Sequence, residues 1–213
     1  MRRGALTVAI VAATTGLLAL PGAATATTAG AGATSAATAA PAPRQGPISL
    51  NVDYQVQETG YWCGPAATRI ALSARGIFLS QADLAAQLGT HTGGTDHIGQ
   101  VTNVLGGHVG WYETKEMPND PPTPAQKDLL WNDIVTDINA GFPLVANIVA
   151  PPGNQPPGYP PDQTIYHYFT VIGYNPDDRM VQIADPASFS GNQIYWLSFD
   201  HLASLIPPKG YSA

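Results

Sequence analysis

The sequence predicts an α+β chain, with helical segments crowding the first half of its ordered part and strands the second. Three stretches carry that expectation. After Cys63-Gly64-Pro65, the residues Ala66, Ala67, Ile70, Ala71 and Ala74 recur at three- and four-residue steps, the mark of a helix with one apolar face. Pro143 to Ala150, PLVANIVA, is a continuous apolar run bounded by Pro and Gly, as in a well-buried strand. Thr164 to Tyr174, TIYHYFTVIGY, is rich in aromatic and β-branched residues, as strands are. Its two faces carry Ile165, His167, Phe169 and Val171 on one side and Tyr166, Tyr168, Thr170 and Ile172 on the other.

The first residues read differently. Met1-Arg2-Arg3, an apolar run from Ala5 to Leu20, Pro21-Gly22 and Ala24-Thr25-Ala26 predict a secretory signal peptide over residues 1–26. Residues 27–46 are dominated by Ala, Thr, Gly, Ser and Pro and hold little that could anchor them, so a disordered linker or pro-region is expected there. The domain proper is expected over 47–213, and no later segment is long and apolar enough to span a bilayer. A secreted, extracellular protein follows from this reading. Losing Arg2 and Arg3 with the signal takes the formal net charge from −6 to −8, which argues against nucleic acid or an anionic membrane as partner. Nothing suggests an oligomer, so a monomer is the default.

Within the domain, Pro47 to Tyr54 alternates as a short strand. The cysteine helix is expected to stop at Arg75-Gly76. Ser80 with Asp83 opens a second helix, closed by Gly89. A third runs from Thr95 to Leu105, with Gly106-Gly107 as its stop, and Val109 to Thr114 follows as a strand. Thr123-Pro124 opens a longer helix that ends at Gly141. The loop PPGNQPPGYPPD, Pro151 to Asp162, is too rich in Pro for a sheet and has the length of a functional rim. Asn175-Pro176-Asp177-Asp178 turns the chain into a partner strand, Met180 to Asp185. Gln193 to Leu197 is a last strand, and Ser198 caps a helix through Leu205.

Chemistry concentrates on the only cysteine. A thiol where a helix begins faces unpaired N–H groups and the positive dipole end, both of which favour thiolate. A cysteine nucleophile also needs a base and a group that orients the base. His167, mid-strand among large apolar residues, is the candidate base. If Tyr174 opposes Met180, then Phe169 opposes Asp185, and His167 is Asp185's diagonal neighbour within reach. Gln57, six residues before Cys63, can supply an oxyanion donor alongside the cysteine's own N–H. Tyr61 and Trp62 are candidate walls of a substrate subsite. His91, His97, His108 and His201 give no zinc spacing with the one cysteine, and neither a metal nor a cofactor is expected.

The order Gln57, Cys63-Gly64-Pro65-Ala66, His167 in HYFTVIGY, then Asp185-Pro186 resembles the bacteriocin-processing, double-glycine cysteine peptidase-like family of the papain-like clan. More narrowly it resembles that family's stand-alone secreted members. The resemblance covers roughly Ile48 to Leu205. It implies a papain-like fold in which the Cys63 helix packs on an antiparallel sheet bearing His167 and Asp185. By the same resemblance Cys63 is the nucleophile, His167 the base and acid, Asp185 the orienting residue and Gln57 the oxyanion donor. Trp62 departs from the Asp that usually precedes the cysteine in transporter-linked members, so the resemblance alone does not imply their double-glycine leader specificity. The expected activity is hydrolysis of peptide or related amide bonds in a peptide or protein substrate. The competing expectation is a peptide-binding or structural module that keeps the fold without turnover.

Overall fold

The computed structural model describes residues 45–213; the expected signal peptide and most of the expected linker lie outside the described residues. Gln45 and Gly46, placed by sequence in the linker, are fastened to the domain, since both backbone N–H groups donate to the Asp177 carboxylate. The elements in chain order are β1 (Ile48–Ser49), α1 (Cys63–Ser73), α2 (Gln81–Leu88), α3 (Ile98–Val109), β2 (Thr114–Glu116) and α4 (Pro124–Ala140). There follow β3 (Leu144–Ala150), β4 (Ile165–Asn175), β5 (Met180–Ala184), β6 (Ile194–Ser198), α5 (Phe199–Leu205) and β7 (Gly210–Ser212).

The strands form one antiparallel sheet in the order β2-β7-β3-β4-β5-β6, with β1 pairing the end of β4 that β3 does not reach. Both faces are covered. Val145 and Tyr168 pack with α1, α2 and α3 through Ala67, Leu72, Leu84, Val101 and Leu105. The alternate residues Leu144, Ala146, Ile148, Phe169 and Val171 pack with Leu130, Ile134 and Ile138 of α4 and Leu202 and Leu205 of α5. This is why β3 reads as an apolar run, since a strand covered on both sides has no polar face to show; Asn147, which lines the cleft, is its one polar residue. Burying a side chain such as Ile70, fully covered beside Ile172, contributes about 1.5–3 kcal/mol.

Helix ends follow local chemistry. Ser80 accepts from Asp83 N at the start of α2, and Thr123 and Gln126 form a reciprocal capping box at the start of α4. Gly89, Gly110 and Gly141 end α2, α3 and α4 in the left-handed conformation. The expected stop of α3 at Gly106-Gly107 is corrected: the helix runs on to Val109, which is half-buried against the same core cluster, and Gly110 is the residue that takes the positive φ. Its start is later than expected as well, since His97 caps it with Gln100. The strand expected over Val109 to Thr114 is found instead at Thr114–Glu116, pairing β7, which sequence reading did not anticipate. The strand expected over Pro47 to Tyr54 shrinks to two residues. Past it, the chain leaves the sheet so that Asp53 can bind Arg69 of α1 at 2.7 Å.

The β4–β5 register differs from expectation at one end and matches it at the other. Near the turn, Asn175 opposes Met180 and Tyr174 opposes Val181, one residue away from the expected pairing. A bulge between Val171 and Gly173 absorbs that residue, and Thr170 then opposes Ala184. Continuing this register sets Phe169 opposite Asp185, as expected.

Candidate active site

Cys63 is the first residue of α1, and the helix is held on the sheet by the face of β4 that carries Tyr168, Thr170 and Ile172. The Thr170 hydroxyl donates to Ala67 O at 2.9 Å, locking the first turns of α1 against the strand. Gly64 must be glycine, because a Cβ there would collide with the side chain of Thr95. Pro65 fits the first turn, where no N–H is needed. Thr95, whose hydroxyl shares a 2.7 Å hydrogen bond with that of Thr90, sits in the Gly93-Gly94 loop that closes one side of the cleft.

His167 and Asp185 meet as the diagonal pairing requires. Nε2–H of His167 donates to Asp185 Oδ1 at 2.8 Å, and the two residues are 4% and 2% exposed. With Nε2 committed, Nδ1 is the ring nitrogen left for Cys63. Burial pushes the Cys63 thiol up, yet the hydrogen bond and charge of His167, with the N–H groups of Tyr168 and Gly64, outweigh it and hold the thiol below its ordinary value. Burial also opposes a charged imidazole, but the charge and hydrogen bond of Asp185, and then Cys63, raise His167 to about 10. The thiol and imidazole shifts favour a thiolate–imidazolium pair.

Asp185 itself is held by more than the sequence suggested. Burial disfavours its charge, but His167, then Tyr195 and Tyr159, hold the carboxyl below its usual range. The Tyr159 and Tyr195 hydroxyls donate to Oδ2 at 2.8 and 2.7 Å, and Ala187 N–H donates to Oδ1 at 3.0 Å. Tyr54 donates to the Asp185 carbonyl at 2.8 Å. Tyr159 is the buried anchor of the Pro-rich loop, and its ring packs edge-on against Phe189 at 4.6 Å. None of these tyrosines was singled out by sequence. The only available signal was a tyrosine within a loop otherwise made of Pro, Gly and polar residues.

Gln57 lies beside this corner, its backbone N–H donating to Pro186 O at 2.8 Å. Its side-chain Nε2 donates to Thr59 O at 2.8 Å, and its Oε1 is buried without a partner. The amide keeps a second N–H beyond the bond to Thr59. Tyr61 and Trp62, in edge-to-face contact, do not line the cleft that holds Cys63. They wall a neighbouring groove with Ala85, Gly89, Thr90 and His91, on the other side of the His91–Gly94 turn.

The cleft is lined by Cys63, His167, Tyr168, Asn147, Tyr166, Lys209 and the loop from Gly93 to Asp96. Asn147, buried opposite Tyr168 in the register, donates to the Tyr168 hydroxyl at 2.9 Å, and that hydroxyl donates to Thr95 O at 3.2 Å. His91 pairs with Asp96 at 3.0 Å on the rim, and His97 caps α3. Among the described residues no cluster of His, Cys, Asp and Glu could hold a metal ion, and no helix is long and apolar enough to cross a membrane.

A thiol at a helix N-terminus, paired with an imidazole that a carboxylate orients from an antiparallel sheet, defines a cysteine peptidase of papain-like fold. The chain belongs to the Peptidase_C39 like family, whose profile matches residues 49–204. In structure it is similar to a C39-like peptidase from Bacillus anthracis (TM-score 0.54, 14% identity), covering 78% of this chain and 96% of that one. It also resembles xylellain, a cysteine protease from Xylella fastidiosa (TM-score 0.48, 13% identity), over 80% of this chain and 86% of that one. A double glycine motif protease from an AMS/PCAT transporter, solved with its leader peptide, gives a TM-score of 0.48 at 12% identity, over 78% and 95% of the two chains. Among curated proteins none matches the chain in sequence.

Proposed function

We propose that this protein is a secreted, stand-alone cysteine peptidase that hydrolyses peptide bonds through a thioester. The observation that carries the reading is the buried relay from Asp185 through His167 to Cys63, with His167 raised to about 10 and the thiol lowered. The Cys63 thiolate attacks the carbonyl carbon of the scissile bond, and the carbonyl electrons move onto its oxygen. Cys63 N–H and the second N–H of Gln57 are the proposed donors to that oxyanion. As the oxyanion collapses the C–N bond breaks, and His167 Nδ1–H gives its proton to the leaving amine. Water then attacks the thioester, His167 takes the water proton, and the acid product leaves as the thiol group is restored to the pair. Export is proposed on the composition of residues 1–26.

The test is the rate of Cys63 alkylation by iodoacetamide against pH, in the wild-type protein and in His167→Ala. An unperturbed thiol titrates near ~8.5. Alkylation that persists into acid and is lost in His167→Ala is the expected result, together with abolished hydrolysis in Cys63→Ala. An ordinary or raised thiol that ignores His167 would make the protein a binding module on a peptidase fold.

A further inference from the structure

The cleft around Cys63 holds one cation that has no ion-pair partner among the described residues. Lys209 lines the same cleft as Cys63 and His167. The other described lysines have carboxylate partners, Lys115 with Glu113 at 2.8 Å and Lys127 with Asp200, and Arg69 is paired with Asp53. The Lys209 ammonium has no hydrogen-bonding or ionic partner among the described residues, and its neighbour is the face of Tyr166, 5.8 Å from ammonium to ring centroid. Tyr166 is 67% exposed, unlike the buried tyrosines of the Asp185 corner, so this aromatic shelf opens to solvent.

Both residues are placed by the backbone rather than by chance of a surface chain. Tyr166 immediately precedes His167 on β4, opposite Val149. Lys209 is fixed by its N–H to Ile206 O and by its carbonyl, which accepts from Met117 N, both at 2.8 Å. The next residue, Gly210, lies so close to the Lys115 carbonyl that no side chain fits there, and this brings β7 tight against β2. Asp96, which lines the same cleft, is paired with His91 at 3.0 Å, and Glu116, on the strand that pairs β7, is paired with His97 at 3.3 Å. In a protein of formal net charge −6, an unmatched ammonium in the same cleft as the thiol is suited to a negatively charged group of the substrate.

We propose that Lys209, with Tyr166, is a specificity determinant that takes a carboxylate of the substrate close to the scissile bond. Bound there, the carboxylate accepts from Nζ, and the substrate atoms beside it lie over the Tyr166 ring. Asn147, on the same cleft wall, offers its amide to the adjoining substrate backbone. The carboxylate can be an acidic side chain or the free C-terminus of a short product-side peptide. The inference rests on the peptidase reading above for its consequence in turnover, but not for the binding itself.

The experiment compares synthetic peptides in two sets. One set is C-terminally amidated and carries Asp or Glu at successive positions around a common neutral core, with Asn and Gln isosteres as controls. The other is free of acidic side chains and ends in a free carboxylate or an amide. Hydrolysis is measured with the wild-type protein, and equilibrium binding with Cys63→Ala by fluorescence anisotropy. Loss of the carboxylate is expected to lower kcat/KM and affinity about five- to tenfold, with the change in KM rather than kcat. That is the size of a half-exposed ion pair sharpened by a hydrogen bond. Lys209→Met should erase the preference without altering Cys63 alkylation, and Lys209→Glu should favour Lys- or Arg-bearing peptides instead. A preference confined to one set identifies side chain or C-terminus as the source. Equal handling of acids and isosteres by the wild type, or a preference that survives in Lys209→Met, overturns the proposal while leaving the peptidase reading intact. Carboxylate-selective binding without any hydrolysis does the reverse. Absence of both binding and hydrolysis overturns the two together.

Discussion

Replacing Asp185 by Asn removes one charge and leaves the shape of the corner unchanged. Asn Oδ1 still accepts from His167 Nε2–H at 2.8 Å and from Ala187 N–H at 3.0 Å, while the amide nitrogen faces the Tyr159 and Tyr195 hydroxyls. A hydrogen bond to an ionised group is worth about 1.5–3 kcal/mol against about 1 kcal/mol for a neutral one, so the imidazolium loses ~0.5–2 kcal/mol of support. At ~1.4 kcal/mol per unit, His167 falls by about one unit from that bond alone, and by more once the lost Coulomb attraction is added. Burial then acts unopposed by the carboxylate and carries it further in the same direction.

The assay is ring ¹⁵N titration of histidine-labelled protein, with the His167 signal assigned by its absence in His167→Ala. In the wild type its midpoint should lie near 10, and in Asp185→Asn at least one unit lower, with the other histidine signals unmoved. The sign for stability follows. A folded value raised from 6.5 to about 10 stabilises fully below 6.5, and that contribution is lost as pH rises through about 10. The depressed Asp185 contributes above its ordinary value of 3.8 and loses that as pH falls. Between those limits Asp185→Asn should show its largest stability deficit, shrinking toward alkaline pH. A His167 midpoint unchanged to within a few tenths of a unit would refute the argument that the carboxylate charge sustains the pair.

Tyr195→Phe keeps the ring and deletes one of the two hydroxyl donors to Asp185 Oδ2; chemical denaturation at pH 7 should show a loss of about 1.5–3 kcal/mol that narrows in acid as Asp185 protonates. Gly64→Ala drives a methyl into Thr95, and should cost about 1–3 kcal/mol by denaturation while slowing Cys63 alkylation, because the helix start must shift away from His167. Thr95→Gly in the same chain should recover part of both losses.

Local chemistry made much of the site legible. Cys63 announced itself by a Pro and an apolar period that start a helix, and His167 by lying in the one stretch that reads unmistakably as strand. Asp185 was found by counting across a turn, and the count reached the right partner although its first pairs were off by one. What could not be read depends on segments that meet only in the folded chain. Tyr159 reaches Asp185 from a loop 26 residues away, and no periodicity encodes that path. Lys209 directly precedes β7, a three-residue strand held by pairing β2 on one side and β3 on the other, both of them distant in sequence. Gly106 and Gly107 looked like a stop because glycine is a poor helix former, but packing of Val101, Val104 and Leu105 against α2 and β3 outweighs the roughly 1 kcal/mol that each costs.

The bulge between Val171 and Gly173 separates two halves of one hairpin that would otherwise be geared together. In an uninterrupted ladder, adding or deleting a residue at the Asn175–Asp178 turn would propagate along both strands and rotate His167 and Asp185 onto opposite faces. With one extra residue housed at Ile172, the turn end runs on a count offset by one from the reactive end. Closing that bulge with the turn kept as it is would slide His167 one place past Asp185, and a single residue gained or lost between His167 and Val171 would dismantle the relay in the same way.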